Sequence, residues 1–218
     1  MSQTKKLFAI LCLCLLVSHS GLAQELDEWD WANKHFPQVL DEVFPLDQEY
    51  GYSVSFRSYR ELYTDVPEYY CSFTKDYQGN PIEVVVRMAD TVSLYGQLLA
   101  LHRENPSEGI DKIKKRLKFK EWRFTEKTCS LVKPLFEKFR KVRIPVPDDS
   151  TITLHPMIYS FRISGGDAKM KMELSDEDHP LVIWAKEARR ALEVCATNIR
   201  GSKVQSSKSK VVSRTFDF

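Results

Sequence analysis

The sequence predicts an α+β fold: a single domain with an antiparallel sheet of about six strands and helices packed mainly on one face. Three observations support this fold class. Segments with the period-two alternation of strands follow one another across short turns, which antiparallel strands permit and a purely parallel sheet forbids. Helical segments come in groups and do not alternate with every strand. The hairpin at residues 158–174 has one apolar and one polar face, which is typical of a half-covered antiparallel sheet.

The segment before the first strand, residues 25–46, predicts one or two short helical turns that lie as a strap over the core. Trp29, Phe36 and Leu40 can share one face of a helix. Pro37 and Pro45 interrupt the pattern, because a proline inside a helix removes one backbone hydrogen bond.

Three strands are predicted next. The first, "YGYSVSFRSY" at residues 50–59, places Tyr52, Val54 and Phe56 on one side and smaller or polar residues on the other. The second, "EYYCSFTK" at 68–75, places Cys71 between aromatic residues, and the third, "IEVVVRMA" at 82–89, follows a turn.

The segments after the third strand show helical periodicity. Residues 90–105 predict a helix that Asp90 or Thr91 could cap, and Ser107 can begin a second, shorter helix. A further strand is predicted at 119–127. The next helix should begin near Ser130, because Pro134 is tolerated only in a first turn. Its inward residues are predicted to be Leu131, Leu135, Phe139 and Val142.

The last hairpin and helix form the clearest pattern. Tyr159, Phe161 and Ile163 share one face of the outgoing strand, and Gly165 and Gly166 permit the reversal. The inward residues of the returning strand are predicted to be Met170, Met172 and Leu174.

A helix follows directly, with Asp178 as the expected cap and Pro180 in its first turn. Its apolar stripe comprises Leu181, Trp184, Ala188, Leu192 and Cys195. We therefore expect the apolar face of the hairpin to pack beneath this helix, with a role facing a ligand as the alternative.

The N-terminal residues predict an exported protein, and the C-terminal residues predict a disordered tail. Residues 1–23 have the basic start, short apolar run and small-residue cleavage site of a signal peptide cut after Ala23. The single domain is expected over 24–198, followed by a basic, Ser-rich tail over 199–218 that predicts disorder. The expected location is secreted or periplasmic, without stable membrane insertion, since the apolar run is too short to span a bilayer.

Charge gives no indication of a nucleic-acid partner. Without the signal peptide, 30 basic residues balance 30 acidic residues. The stretch at residues 111–124 mixes lysines and arginines with Phe119, Trp122 and Phe124, as single-strand nucleic-acid grooves do. Ile113 and Leu117 explain it more simply as the inner stripe of a helix whose lysines face water.

Three cysteines remain after the signal peptide. Cys129 and Cys195 lie near the ends of predicted helices and are the favoured disulfide, which would stabilise the fold by about 4 kcal/mol in the chain-entropy model. Cys71 resembles a buried apolar residue. Free thiols, or a bridge that uses Cys71, remain alternatives.

No catalytic, metal or cofactor motif is present, so we expect no cofactor and no catalytic residue. The acidic stretch 176–178 with His179 and His155 could hold a cation, although an acidic loop before a helix is more often a capping feature. The carboxylate pairs at 148 and 149, and at 61 and 65, could serve a glycosidase-like reaction only at a suitable separation in space.

The sequence therefore favours an exported, non-catalytic domain that binds a partner, most simply an extracytoplasmic protein. One alternative is a small secreted or periplasmic hydrolase whose site is assembled only in three dimensions. Another is a carrier of a small apolar ligand, held between the hairpin and the last helix. Its lining would comprise Tyr159, Phe161, Met170, Met172 and Trp184.

Overall fold

The structure is a computed structural model that describes residues 27–46, 52–60, 66–76, 78, 80–144, 157–165 and 168–203. The strands are β1 (Tyr52–Arg60), β2 (Tyr69–Lys75), β3 (Glu83–Ala89), β4 (Phe119–Thr125), β5 (Met157–Gly165) and β6 (Ala168–Leu174). The helices are α1 (27–43), α2 (Leu94–Glu104), α3 (Ile110–Arg116), α4 (Val132–Phe139) and α5 (Pro180–Lys203).

The strands form one antiparallel sheet in the order β4-β3-β2-β1-β5-β6. Every neighbouring pair is antiparallel, with Phe56 of β1 opposite Cys71 of β2 and Phe161 of β5. The predicted α+β class and the sheet of about six strands are therefore confirmed among the described residues.

The first face of the sheet packs against α4 and α5. Phe56 and Phe161 of the central strands share a buried core with Trp184 of α5, and all three side chains are at most 1% exposed. The predicted stripe of α5, from Leu181 to Cys195, is buried as well. The hairpin thus packs beneath the last helix, as the sequence predicted.

The second face is also covered, which corrects the expectation that helices lie mainly on one face. Tyr59, Tyr70 and Ala89 turn away from α5 and share a second core with α1, α2 and α3. Alternation alone marked these positions as the outward side, but the central strands bury both sides: seven of the nine residues of β1 are buried. The helices consequently sandwich the sheet.

The first helix is longer than predicted. Residues 27–43 form one helix through Pro37, where two short interrupted turns were expected. A proline removes a single backbone donor. Burial of Phe36, Val39, Leu40 and Val43 against the second core outweighs that loss. The predicted strap is therefore an integral helix of the fold.

Several helix starts differ from the prediction. Ser93 caps α2, because its Oγ accepts a hydrogen bond from the backbone N–H of Gly96 at 2.9 Å, whereas Asp90 or Thr91 was expected. Gly109 precedes α3, where a start at Ser107 was expected. The α4 helix begins at Val132, so that Leu131 is 39% exposed. The sequence thus predicted these three helices, but each begins two or three residues away from its predicted start.

The start of α5 is capped by His179. The Nδ1 atom of His179 accepts a hydrogen bond from the backbone N–H of Leu181 at 3.2 Å. The expected cap, Asp178, is exposed, and its backbone N–H donates to Asp176 instead. From there α5 runs to Lys203.

Candidate functional site

An open groove lies where α4 crosses the ends of the central strands. Its volume is about 420 Å³. Because β1 runs antiparallel to both neighbours, its start lies beside the ends of β2 and β5. This "α4 groove" is lined by Tyr52, Ser53, Lys75, Asp76, Phe136, Phe139, Arg140, Ile163, Ser164 and Gly165.

The floor of the α4 groove is aromatic and continuous with the first core. The ring of Phe139 lies 6.4 Å from that of Phe136 and 5.1 Å from that of Trp184, between centroids. Phe136 in turn stacks on Phe73 of β2 at 6.4 Å. Trp184 is fixed by its Nε1, which donates to the carbonyl oxygen of Leu135 at 3.0 Å. The floor is therefore rigid, while half-buried Phe139 still faces the opening.

Tyr52 forms the mouth of the groove, and its side chain is 52% exposed. It packs on the backbone of Gly165, where a β-carbon would lie 3.3 Å from the Tyr52 ring. A side chain at position 165 would therefore press on this ring. The glycine predicted to serve the hairpin turn thus also makes room for an aromatic side chain at the groove.

The rim of the groove carries more positive than negative charge. Lys75 and Arg140 lie on it, and the guanidinium of Arg140 contacts only Glu137 among the described residues, at 3.3 Å. The single rim carboxylate, Asp76, is held by its own turn, since it accepts hydrogen bonds from the backbone N–H groups of Gln78 and Asn80. Lys75 and Arg140 therefore give the rim a net positive charge, although Arg140 shares its guanidinium with Glu137.

The ligand site predicted from the sequence is filled by the core. Tyr159, Phe161 and Trp184 are buried together, and Met172 packs against the same cluster. Met170, predicted to point inward, is 43% exposed because it lies on edge strand β6. None of these five lines the α4 groove, which begins one position further along β5 at Ile163. Sequence reasoning missed the groove because strands and helix distant in the chain form it.

The sulfur atoms of Cys129 and Cys195 lie at the bonding distance of 2.07 Å, and the two Cα atoms are 5.8 Å apart. The bridge joins the segment before α4 to α5. Cys71 carries a free, buried thiol, and burial raises its pKa well above the ordinary value. The thiol is therefore protonated and lies in the core, which does not suit a nucleophile.

Two of the other groups with a shifted pKa, Glu68 and His179, lie at helix starts. Burial raises the pKa of Glu68 to about 7, although its carboxylate accepts hydrogen bonds from the N–H groups of Leu94 and Tyr95. Burial also lowers the pKa of His179, against the opposing influence of Asp176. Glu68 caps α2 and His179 caps α5, so the fold uses each of them in a structural contact.

The acidic stretch before α5 does not gather ligands for a cation. Asp176 accepts the N–H of Asp178, Glu177 pairs with Lys186 at 2.8 Å, and His179 caps the helix. In the described part of the chain, no three His, Cys, Asp or Glu side chains come together as metal ligands. His155 and the carboxylates at 61, 65, 148 and 149 lie outside the described residues.

The basic stretch at 111–124 forms ion pairs. Lys114 contacts Asp111 and Glu42, each at 2.8 Å, and Arg116 contacts Glu104 and Glu108. Ile113 and Leu117 are buried in the second core. This arrangement is that of a solvated helix face with its own counterions.

Comparison of the chain with protein-family models, with curated proteins and with solved structures finds no match. Within the described ranges, no helix combines the length and the apolar character that crossing a bilayer requires.

Proposed function

We propose that this chain is an exported binding domain whose α4 groove holds a small amphipathic anion, with an apolar body and one acidic group. The observation that carries the proposal is an open groove of about 420 Å³ with an aromatic floor and two cations on its rim. Its volume falls in the range of small-molecule sites, about 300–1,000 Å³. Export is supported by the leader-like pattern of residues 1–23.

The apolar part of the ligand is assigned to the floor. Phe139 and Ile163 are half-buried and line the groove together with the exposed ring of Tyr52. Ring stacking and apolar burial both favour an aromatic or aliphatic group at this place.

The acidic part is assigned to the rim. Lys75 sits at the end of β2 and Arg140 at the end of α4, on the two sides of the opening. The charged groups that line the opening are two cations, Lys75 and Arg140, and one carboxylate, Asp76, so their net positive charge favours a carboxylate or sulfonate. A neutral ligand of the same shape should bind less tightly.

The groove supports a small ligand better than the other two functions expected from the sequence. The large apolar side chains exposed on described residues belong to several different helices, strands and turns. They are Tyr52, Val92, Leu131, Ile144, Met170, Ile183 and Val194. An enzyme would use groups with shifted pKa values, but Glu68 and His179, which have them, are both engaged in helix caps.

The test uses two fluorescent probes of similar shape: anilinonaphthalene sulfonate, which is anionic, and N-phenylnaphthylamine, which is neutral. We expect saturable one-to-one binding of the sulfonate to the folded protein. Phe139→Ala should weaken both probes about tenfold, since it removes the floor. The double variant Lys75→Gln with Arg140→Gln should weaken the sulfonate about tenfold and leave the neutral probe within about twofold.

Leu131→Ala is the matched control, because it truncates an exposed apolar residue just before the same helix, away from the groove. Circular dichroism of each variant verifies that the fold is intact. Binding of the sulfonate that Phe139→Ala and Leu131→Ala reduce equally, or no saturable binding at all, would refute the groove as the ligand site.

A further inference from the structure

Strand β6 is an edge strand of the sheet and pairs only with β5. Among the described residues, no other strand lies along its free side. A free strand edge can accept one more strand, and proteins block such edges with prolines, bulges or charged side chains. Strand β6 contains no proline, and its seven residues pair with β5 in an unbroken register. The charged side chains of β6 therefore determine which strand its edge can accept.

Three charged side chains alternate along the second face of β6: Lys169, Lys171 and Glu173. All three are exposed, and neither lysine forms an ion pair among the described residues. Glu173 accepts one hydrogen bond from Ser160 at 3.1 Å, and a carboxylate can accept several. The edge thus presents two unpaired cations and one carboxylate that can still bind a cation.

The spacing of these charges fits a second copy of the same strand. If two copies of β6 lie antiparallel with Met172 opposite Met172, each Lys171 faces the partner's Glu173. On the first face, the same register sets Met170 opposite the partner's Leu174. Opposed residues of antiparallel strands have Cβ atoms about 4.5–5.5 Å apart, so opposite charges and apolar pairs at these positions stabilise the pairing. The strand is therefore complementary to itself on both faces.

The neighbouring registers are disfavoured by charge. Pairing centred on Lys171 or on Glu173 sets a charged side chain opposite its own copy, and pairing centred on Met170 sets Lys169 opposite Lys171. Like charges directly opposite each other destabilise a pair of strands. A slip by a single residue would place the apolar face of one copy beside the polar face of the other. The charges thus leave one favourable register, centred on Met172.

The opposite edge strand, β4, differs because its charges are already paired within the chain. Glu121 accepts hydrogen bonds from Arg87 at 2.8 Å and from Arg123 at 3.0 Å. Lys120 of the same strand forms an ion pair with Asp90. A second copy would have to compete with these contacts at β4, whereas the lysines of β6 have no such contacts to lose.

We propose that β6 is a homodimerisation edge, at which two copies of the chain pair antiparallel about Met172 and join their sheets into one. Only residues 170–174 of each copy face each other, so the interface is small and the dimer is weak. Its two exposed Lys171–Glu173 pairs make it weaker still at high salt. No residue of β6 lines the α4 groove, so the inference is independent of the ligand proposed there.

The test is sedimentation velocity of the protein at concentrations from about 10 μM to about 1 mM, a range in which a weak dimer forms. We expect the wild type to pass from monomer to dimer. Lys171→Glu and Glu173→Lys should each weaken the dimer about tenfold or more, because each sets like charges opposite each other at two places. The double variant that carries both changes should dimerise again, since both pairs re-form with exchanged signs.

An equimolar mixture of the two single variants should likewise form a heterodimer. Two matched controls should dimerise as the wild type does. Lys169→Glu changes the same strand at a position that faces the partner's Ser175 in this register, and Arg123→Glu changes the opposite edge strand. Circular dichroism verifies the fold of each variant.

Three results would overturn the proposal. The first is a wild-type protein that stays monomeric over the whole concentration range. The second is a dimer that Arg123→Glu weakens as much as Lys171→Glu does, because the interface would then not be specific to β6. The third is a failure of both the double variant and the mixture to dimerise, which would exclude the register centred on Met172.

Discussion

Glu68 is a carboxylic acid that the fold buries and whose pKa it raises to about 7. It lies immediately before β2, is fully buried, and its carboxylate receives the first backbone N–H groups of α2. Its backbone carbonyl also accepts the N–H of Ala89. One residue thus joins a strand start, a strand end and a helix start, the strand end through its backbone carbonyl and the helix through its carboxylate. No local pattern in the sequence predicts this cap, because Glu68 lies 26 residues before Leu94.

The raised pKa of Glu68 predicts a specific dependence of stability on pH. Its pKa is about 7 in the folded chain against 4.5 as the ordinary value. The folded state therefore holds this proton more tightly, so the free energy of unfolding falls as pH rises from about 4.5 to about 7. The loss from this one group is about 3 kcal/mol.

Glu68→Gln should remove that loss, so that the variant gains stability relative to the wild type as pH rises from 4 to 8. Urea denaturation across this range measures the difference. Glu83→Gln, which neutralises an exposed carboxylate on β3, is the matched control and should follow the wild-type profile. A pH-independent difference between Glu68→Gln and the wild type would show that the group does not titrate in this window.

At the scale of elements, the sequence was sufficient to predict the structure of a segment wherever a single periodicity ran through it without interruption. The hairpin of β5 and β6 and the stripe of α5 were predicted with their partners, because alternation and helical spacing were both unambiguous. The second core was not predicted. The residues of β1 and β2 on that face include Arg57, Ser72 and Tyr70, and the alternation of the strands predicts that this face is exposed to solvent. The α4 groove escaped prediction because strand ends distant in sequence create it.

The bridge between Cys129 and Cys195 links the segment before α4 to α5 across 66 residues of chain. In the chain-entropy model, a loop of this length contributes about 4 kcal/mol to the free energy of unfolding. The double variant Cys129→Ala with Cys195→Ala should lose about that amount in urea denaturation. Reductant should lower the stability of the wild type by a similar amount and leave the double variant unchanged. Equal stability of wild-type protein with and without reductant would contradict a structural role for the bridge.

At the scale of the molecule, two cores share one sheet. Trp184 anchors the first core between Phe56 and Phe73, whereas Tyr95 and Phe36 occupy the second. Strands β1 and β2 contribute side chains to both. If the helices on one face unfolded, they would therefore expose the same strands against which the helices on the other face pack. The two halves should stabilise each other.

This coupling predicts one cooperative unfolding transition. In hydrogen exchange at increasing urea concentration, peptides from α2 and from α5 should lose protection at the same midpoint. Trp184→Ala, which removes about 3–5 kcal/mol from the first core, should lower both midpoints equally. Ile183→Ala, at the neighbouring and 50% exposed position, should lower neither by much. If Trp184→Ala lowered the α5 midpoint and spared that of α2, the cores would be separate units, because stability lost on one face of a shared sheet must otherwise appear on the other.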